Sequence, residues 1–307
     1  MTRVVVAGVV NIRSALAVDR FPVSFVSSRR QPEAISMRLS GSGFVVARTL
    51  QDLGVDVGFV TYVGTDALGL LVINGLQETG LYGPGVLRSG VQPRSVVLYD
   101  KTGARASTTD LRTAPSLRYP LDVFEALVVG GCDLAVLTNI GFTRPLIRSA
   151  VAMGIPIATD LHVVADIGKP HNQDWMRAAR ILACSHEQLP VPAEEWARRL
   201  WRVYGTEISL IGCGDQGAVL GVRGSVWRIR AVTPRGVRYT SGAGDTLLGS
   251  FVHHYLSSGD PVLATRWAVL SAGWRIGRSP DDLDGLSAGM LTRLVADHGL
   301  PQVSRLR

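Results

Sequence analysis

Short apolar runs alternate with helical runs along most of the chain. Residues 4–10 are continuously apolar, as in a strand that is buried on both faces. In the run 193–204, Trp196, Leu200 and Val203 recur at helical spacing. The pattern predicts strands over 4–10, 55–60, 133–138, 155–159, 180–183 and 208–211, and helices over 44–53, 67–78, 144–153, 193–204 and 247–256. Such alternation predicts an α/β fold, a doubly wound and mostly parallel sheet with helices on both faces.

Two stretches break this alternation. Residues 12–39 show little helical periodicity, and 35–39 alternate like a half-exposed strand. Residues 86–111 contain two strand-like runs, 95–99 and 105–109, joined by the turn sequence Asp100-Lys101-Thr102-Gly103. We therefore predict a small β-lid made of 12–39 and 86–111, which covers the ligand end of a domain made of 1–11, 40–85 and 112–307.

Composition and charge indicate whether nucleic acid is a partner of this protein. Apolar residues make up 46% of the chain and charged residues 19%, which is typical of a globular protein. The net charge is +7, but Lys101 and Lys169 are the only lysines and the arginines are scattered along the chain. No basic patch for nucleic acid is evident, so we predict no nucleic-acid partner.

The cysteines and the apolar stretches indicate the cellular compartment of the protein. Cys132, Cys184 and Cys213 are odd in number and lack a short paired spacing, which argues against a disulfide framework or a zinc site. No apolar stretch approaches the roughly 20 residues of a membrane span. These features predict a cytoplasmic protein without a membrane partner.

The segment Ser241-Gly242-Ala243-Gly244-Asp245 carries the strongest chemical signal. It precedes an amphipathic helix, and free N–H groups in the first turn of a helix attract anions. Such a site suits a transferring phosphoryl group, and Asp245 would accept the proton of an attacking hydroxyl. The alternative is a glycine-rich turn in which Asp245 only caps the helix. The position near the C-terminal end and the lack of a following Gly-Lys-Ser/Thr argue against Rossmann and Walker A sites.

The segment 242–245 resembles the second signature of the ribokinase-like (PfkB) carbohydrate kinases. The stretch 55–69, which contains Val63-Gly64-Thr65-Asp66 and Gly69, is similar to the family's Val-Gly-x-Asp-x-x-Gly block, and Ser40-Gly41-Ser42-Gly43 resembles its first signature. The resemblance implies a doubly wound α/β domain with a small β-lid. It also implies transfer of the ATP γ-phosphoryl group, with Mg²⁺, to a hydroxyl of a sugar or nucleoside.

The resemblance also implies roles for individual residues. The catalytic set is the base Asp245 with the anion hole Gly242, Ala243 and Gly244. The predicted substrate-binding residues are Asn11, Arg13, Gly41, Ser42, Gly43 and Asn139. The predicted nucleotide-binding residues are Ser185, Gly212, Gly214, Gly217 and Thr240, and Glu187 is the predicted metal contact.

Several positions depart from the family pattern. Arg13 stands where the pattern has an aspartate, and an arginine only donates hydrogen bonds. It therefore favours an acidic or carbonyl-bearing substrate, or it points elsewhere. Val45 replaces an asparagine, the Asn-x-x-Glu motif reads Ser185-His186-Glu187-Gln188, and Gly212 replaces a threonine. Tyr239 replaces the aspartate that opens the second signature, which puts a monovalent-cation site in doubt.

Three functions remain open at this point. The first is a kinase for a sugar or related metabolite. The second is a nucleoside kinase, in which Phe21, Phe25 and Val26 would stack on a base. The third is a nucleotide- or ligand-binding homologue without turnover. His162, near Asp160 at the end of a predicted strand, is a possible substrate contact. The lid also allows a homodimer.

Overall fold

A computed structural model describes residues 2–282 and 284–306. Its strands are β1 (Arg3–Ala7), β2 (Asn11–Ala17), β3 (Ile35–Ser40), β4 (Asp56–Val63), β5 (Val86–Arg88), β6 (Arg94–Tyr99), β7 (Arg105–Asp110), β8 (Leu134–Leu137), β9 (Ile157–Val163), β10 (Ile181–Ser185), β11 (Ile208–Gly212), β12 (Ala218–Val222), β13 (Ser225–Ile229) and β14 (Val303–Leu306). Its helices are α1 (Ser42–Asp52), α2 (Ala67–Glu78), α3 (Leu121–Val129), α4 (Arg144–Ala152), α5 (Gln173–Ala178), α6 (Ala193–Tyr204), α7 (Ala243–Ser258), α8 (Pro261–Ile276) and α9 (Ala288–His298).

The large sheet confirms the predicted fold class. Its described strands follow the order β14-β13-β12-β11-β10-β9-β8-β1-β4-β5. The pairs from β11 through β1 to β5 are parallel, and β12, β13 and β14 form an antiparallel edge. Crossover helices between parallel strands bring the carboxyl ends of those strands to one edge of the sheet, where ligands bind in such folds.

A core lies on each face of this sheet because its strands are apolar on both sides. In β1, Val4 and Val6 pack with α1, α2, α7 and α8, whereas Val5 and Ala7 pack with α3, α4 and α6. This explains the uninterrupted apolar run near the start of the chain.

The lid is a second sheet of β3, β2, β6 and β7. Its β2–β3 and β6–β7 pairs are antiparallel, and β2 and β6 run parallel to each other. The predicted lid boundary needs one correction, because Val86–Arg88 pairs with β4 in the large sheet. The rest of the predicted domain division stays a prediction. Among the described residues, no helix has both the length and the apolar character to cross a membrane.

Candidate active site

The N-terminus of α7 forms the centre of the candidate site. Gly242 precedes the helix with φ 81°, a left-handed conformation that glycine adopts without strain, and no side chain caps this end. The N–H of Ala243 donates to the Thr240 carbonyl over a long 3.4 Å. In the described part of the chain, the N–H groups of Gly244 and Asp245 have no acceptor outside the helix. The end of α7 therefore offers two free donors to an anion.

Asp245 meets two side chains from β9. The carboxylates of Asp160 and Asp245 and a ring nitrogen of His162 lie within 4.8 Å of one another. The ring atom His162 Nδ1 is 3.4 Å from Asp160 Oδ2. The backbone N–H of His162 donates a hydrogen bond to Asp160 Oδ1 over 2.8 Å. That bond accompanies a left-handed backbone at His162, with φ 57°. The structure thus places a histidine next to two carboxylates. The sequence indicated only that His162 lies near Asp160, and it gave no sign that Asp245 joins them.

This cluster shifts the ionisation of its members. Burial raises the pKa of Asp245 to about 6, although His162 opposes the shift, and the Asp160 carboxylate adds to it. Burial lowers the pKa of His162, but the carboxylates of Asp160 and Asp245 outweigh burial, so its pKa is raised overall. A carboxylate whose pKa lies near 6 is largely ionised at neutral pH, as a general base must be.

Arg275, near the end of α8, is a component that sequence reasoning missed. A Cβ placed on Gly242 would lie 3.1 Å from its Nη2 atom, so the guanidinium contacts the start of α7. Burial and the nearby Arg278 and Arg13 lower its pKa to about 10. An arginine with that pKa stays charged at neutral pH, so it adds a fixed positive charge beside the two free N–H groups. The sequence held no signal for it, because it is far from the glycine segment along the chain.

The predicted acceptor side gathers around the start of β2 and of α1. Asn11 is buried, its Nδ2 donates to Ser95 Oγ over 3.3 Å, and its Oδ1 has no partner among the described residues. Gly41 has φ 103° and Ser42 is the first residue of α1. A Cβ on Gly43 would lie 2.5 Å from the Gly8 carbonyl carbon, so only glycine lets α1 approach the end of β1 this closely.

Arg13 and Asn139 occupy different surroundings. Arg13 is buried, and its guanidinium carbon lies 4.9 Å from the centre of the Tyr239 ring. Asn139 follows β8, where its Nδ2 donates to Asn172 Oδ1 over 3.2 Å and its carbonyl lies 2.9 Å from His171 Nε2. The structure therefore ties Asn139 to the turn before α5.

The predicted nucleotide side lies at the ends of β10 and β11. Ser185 is paired with Gly212, and the N–H of Cys213 donates to the Gly217 carbonyl over 2.8 Å, which closes the loop around Gly214. Thr240 instead contacts the lid, since its hydroxyl donates to the Gly103 carbonyl over 3.3 Å.

The metal prediction rests on Glu187, whose side chain is exposed just beyond β10. A free carboxylate suits Mg²⁺, which commonly binds through one or two carboxylates and substrate phosphates. The cluster of Asp160, His162 and Asp245 suits Mg²⁺ less well, because imidazole is a poor ligand for this hard ion. All of these site roles stay predictions.

Comparisons with known proteins define the class. Residues 1–120 match the family model described as pfkB family carbohydrate kinase. A putative 1-phosphofructokinase of Mycoplasma pneumoniae is 26% identical over 148 residues, which cover 45% of this chain and 48% of that protein. The aligned part thus spans about half the length of this curated relative.

Solved structures share the fold. A microbiome-derived acarbose kinase has a TM-score of 0.84 at 24% identity, over 96% of this chain and 99% of that one. Ribokinase from Thermotoga maritima has a TM-score of 0.75 at 18% identity, over 96% and 99%. A nucleoside kinase from Methanocaldococcus jannaschii has a TM-score of 0.75 at 14% identity, over 97% and 99%.

The predicted resemblance to the ribokinase-like (PfkB) carbohydrate kinases is confirmed by the match over residues 1–120 and by the shared fold. The matched family and the relatives named above are kinases, which supports the predicted enzyme class, a phosphotransferase.

Proposed function

We propose that this chain transfers the γ-phosphoryl group of ATP to a hydroxyl of a sugar or sugar-like metabolite. The observation that carries the proposal is Asp245, whose pKa of about 6 makes it a base at neutral pH and whose helix start offers unbonded N–H groups. The names of the relatives, a carbohydrate kinase family, an acarbose kinase and a ribokinase, support a sugar as the acceptor.

The chemistry assigns a task to each group. Asp245 accepts the proton of the acceptor hydroxyl as the oxygen forms its bond to the γ-phosphorus, and the bond from that phosphorus to ADP breaks. The N–H groups of Gly244 and Asp245, with the Arg275 guanidinium, face the charge that develops on the transferred group. The positive charge of protonated His162 lowers the pKa of Asp245 and so favours its ionised form.

Two groups remain assigned by prediction only. Mg²⁺, bound with ATP, would supply further neutralisation of phosphate charge, and Glu187 is the predicted contact. The loop Gly212–Gly217 with Ser185 is the predicted contact to the nucleotide, because it lies at the carboxyl ends of β10 and β11.

Other predicted properties belong to the proposal as well. The lid sheet exposes Ile35, Met37 and Val96 on the face turned away from Asn11 and Arg13, which supports a homodimer formed through the lids. A cytoplasmic location stays a prediction. The nucleoside alternative gains no support from its predicted aromatic platform, since Phe25 is 93% exposed.

Substitution of the base tests the function. With ATP, Mg²⁺ and a sugar identified by screening, Asp245→Asn should lower kcat by a factor of about 10²–10⁴, because the variant has no base for the hydroxyl proton. ADP formation measures the rate, and ATP binding measured by calorimetry should persist. Asp297→Asn, an exposed acid on α9, is the matched control and should keep the parental rate. Parental turnover by Asp245→Asn would exclude this base. A parental chain that binds ATP and yields no ADP with any sugar would favour the homologue without turnover.

A further inference from the structure

A cavity of about 420 Å³ lies between the lid strands, α1 and the end of α8. It opens beside the candidate active site, because Arg275 lines it and also contacts Gly242. Its wall carries an unusual number of guanidinium groups, since Arg13, Arg38, Arg48, Arg275 and Arg278 all line it. Arg13 and Arg38 face each other across β2 and β3, where they are register partners.

Two of these cations, Arg13 and Arg278, lack some of the hydrogen-bond partners that burial normally demands. Arg13 is 5% exposed and Arg278 7% exposed. Arg13 Nε, and Arg278 Nε and Nη2, are buried without a hydrogen-bond partner in the described part of the chain. The buried Tyr239 hydroxyl is also unpartnered there. Buried charges are normally paired and hydrogen-bonded, because an unpaired charge loses its hydration without compensation.

The carboxylates on the same wall offset part of its positive charge, because Asp52 interacts with Arg48, Arg275 and Arg278, and Asp282 and Asp284 interact with Arg278. Asp52 lies 2.8 Å from Arg48, and Asp282 is 3.9 Å from both Arg235 and Arg278. Arg38 lies 3.8 Å from Asp281, and Asp284 and Glu78, which also line the cavity, are exposed. No ion pair joins Arg13 or Arg275 to a carboxylate of the described residues. The two repel each other, since Arg13 contributes to the lowered pKa of Arg275.

We propose that the inner end of this cavity, lined by Arg13, Tyr239 and Arg278, binds the acid group of the acceptor substrate, a phosphate monoester or a carboxylate. Arginine matches the geometry of both anions through two parallel hydrogen bonds, and the Tyr239 hydroxyl adds a third donor. The cations then gain the acceptors that they lack. The inference rests on the proposed function and narrows its substrate class to acidic sugars.

The position of Arg275 links this subsite to the reaction. Arg275 contacts Gly242, three residues before Asp245, and it also lines the cavity together with Arg13 and Arg278. A sugar whose acid group lies at Arg13 and Arg278 thus extends toward the base at Asp245. Arg13 also follows Asn11 by two positions on β2, so the two side chains lie on one face of the lid, next to the predicted acceptor residues.

Anion binding tests the subsite without nucleotide. Calorimetry and thermal shift on the full chain would use inorganic phosphate, a hexose phosphate, a sugar acid and the neutral parent sugar as probes. We expect the three anions to bind and to raise Tm, and the neutral sugar to bind at least tenfold more weakly. Arg13→Met and Arg278→Met should each weaken anion binding by about 10- to 100-fold, because a hydrogen bond to a charged group is lost. Without ligand, Arg13→Met should be at least as stable as the parent, since an unpaired buried cation is removed.

The matched control is Arg305→Met, which removes an exposed arginine that packs over Trp227 at 5.6 Å, far from the cavity. It should keep parental anion binding. Equal anion affinity in Arg13→Met, Arg278→Met and Arg305→Met would overturn the proposal, as would a parent that binds none of the anions. Arg278→Met remains informative if Arg13→Met does not fold.

Kinetic measurements distinguish an anion that belongs to the acceptor from a regulatory anion. They also distinguish failure of the subsite proposal from failure of the kinase proposal. Inorganic phosphate should raise the KM for the acceptor competitively; a change in kcat alone would mark a regulatory anion site and overturn the acceptor assignment. Turnover of neutral sugars with no anion binding would reject the subsite and keep the kinase. Anion binding with no turnover of any acceptor would reject the kinase and also the acceptor assignment.

Discussion

At the scale of single residues, the ionisation of Asp245 depends on its surroundings more than on its own chemistry. Burial and the Asp160 carboxylate favour the protonated acid, whereas His162 and Arg275 favour the carboxylate. The balance leaves the pKa at about 6, so the fraction of active base rises as pH increases through 6. The rate should therefore have an acid limb near that pH.

Replacement of His162 should move this limb. In His162→Asn the positive charge beside Asp245 is absent, so the pKa of Asp245 rises further, and the acid limb of kcat shifts to higher pH by up to about one unit. A pH profile of kcat between pH 5 and 9 measures the shift. His253→Asn, on the same helix as Asp245 but absent from the groups that influence it, should leave the limb in place. An unmoved limb in His162→Asn would contradict the electrostatic role of His162.

At the scale of elements, the start of α7 depends on a glycine for two reasons. Gly242 has φ 81°, and Arg275 fills the space where a side chain would begin. The sequence pattern predicts a helix from 247, whereas α7 begins at Ala243, because the glycines before it weaken the helical pattern without preventing the first turn.

Substitution of Gly242 tests this arrangement. Gly242→Ala should destabilise the chain by about 1–2 kcal/mol through its left-handed backbone, and it should also lower kcat because Arg275 and the free N–H groups shift. Gly236→Ala is matched in conformation, with φ 71°, but has open space around it. It should show a similar loss in the free energy of unfolding and a parental kcat. Denaturant unfolding and ADP formation measure the two effects, and parallel losses of kcat in both variants would argue against a special role for Gly242.

The helix α8 begins with a proline and a capping aspartate, which are local signals for a helix start. The sequence pattern predicts a helix over 247–256 and none after it, whereas Pro261 is the first residue of α8. The carboxylate of Asp260 accepts hydrogen bonds from the N–H groups of Val262 and Leu263, which caps the new helix. Because α8 was not predicted, the role of Arg275 was not predicted either. The position of Arg275 depends on the packing of α8 against α7.

At the scale of the whole molecule, the lid presents an apolar outer face. Ile35 is 70% exposed, Met37 54% and Val96 50%, and Ser14 pairs with both Met37 and Val96 in the sheet. Exposed apolar patches of this kind commonly mark protein interfaces. The inner face of the same sheet carries Arg13 toward the cavity and docks on Tyr239 through Tyr99, with ring centres 5.1 Å apart.

A charge on that outer face should separate two copies of the chain. Val96→Glu is expected to convert the predicted dimer to a monomer, because pairing of the lids would bury an unpaired carboxylate. Light scattering coupled to size exclusion measures the mass. Val151→Glu, which replaces another exposed valine, on α4, should leave the dimer intact. A monomeric parent would show that the lid face has another use.

The sequence by itself determined the fold class, the run of alternating elements and the segment around Asp245. These signals are local: apolar periodicity indicates which faces are buried, and the glycines before Asp245 indicate the start of a helix. Helices 67–78 and 193–204 were predicted with their observed bounds for this reason. Residues 86–88 were included in the predicted lid but pair with β4 in the large sheet, because three residues carry too little pattern to show which sheet they join.

Only the tertiary structure decided which distant charges meet. Asp160 and His162 reach Asp245 because β9 ends beside the start of α7, and Arg275 reaches Gly242 because α8 packs back along α7. Arg13 and Arg278 line one cavity although more than half of the chain separates them. Electrostatic interactions depend on distance through space and on burial, and neither is written in the order of residues along the chain.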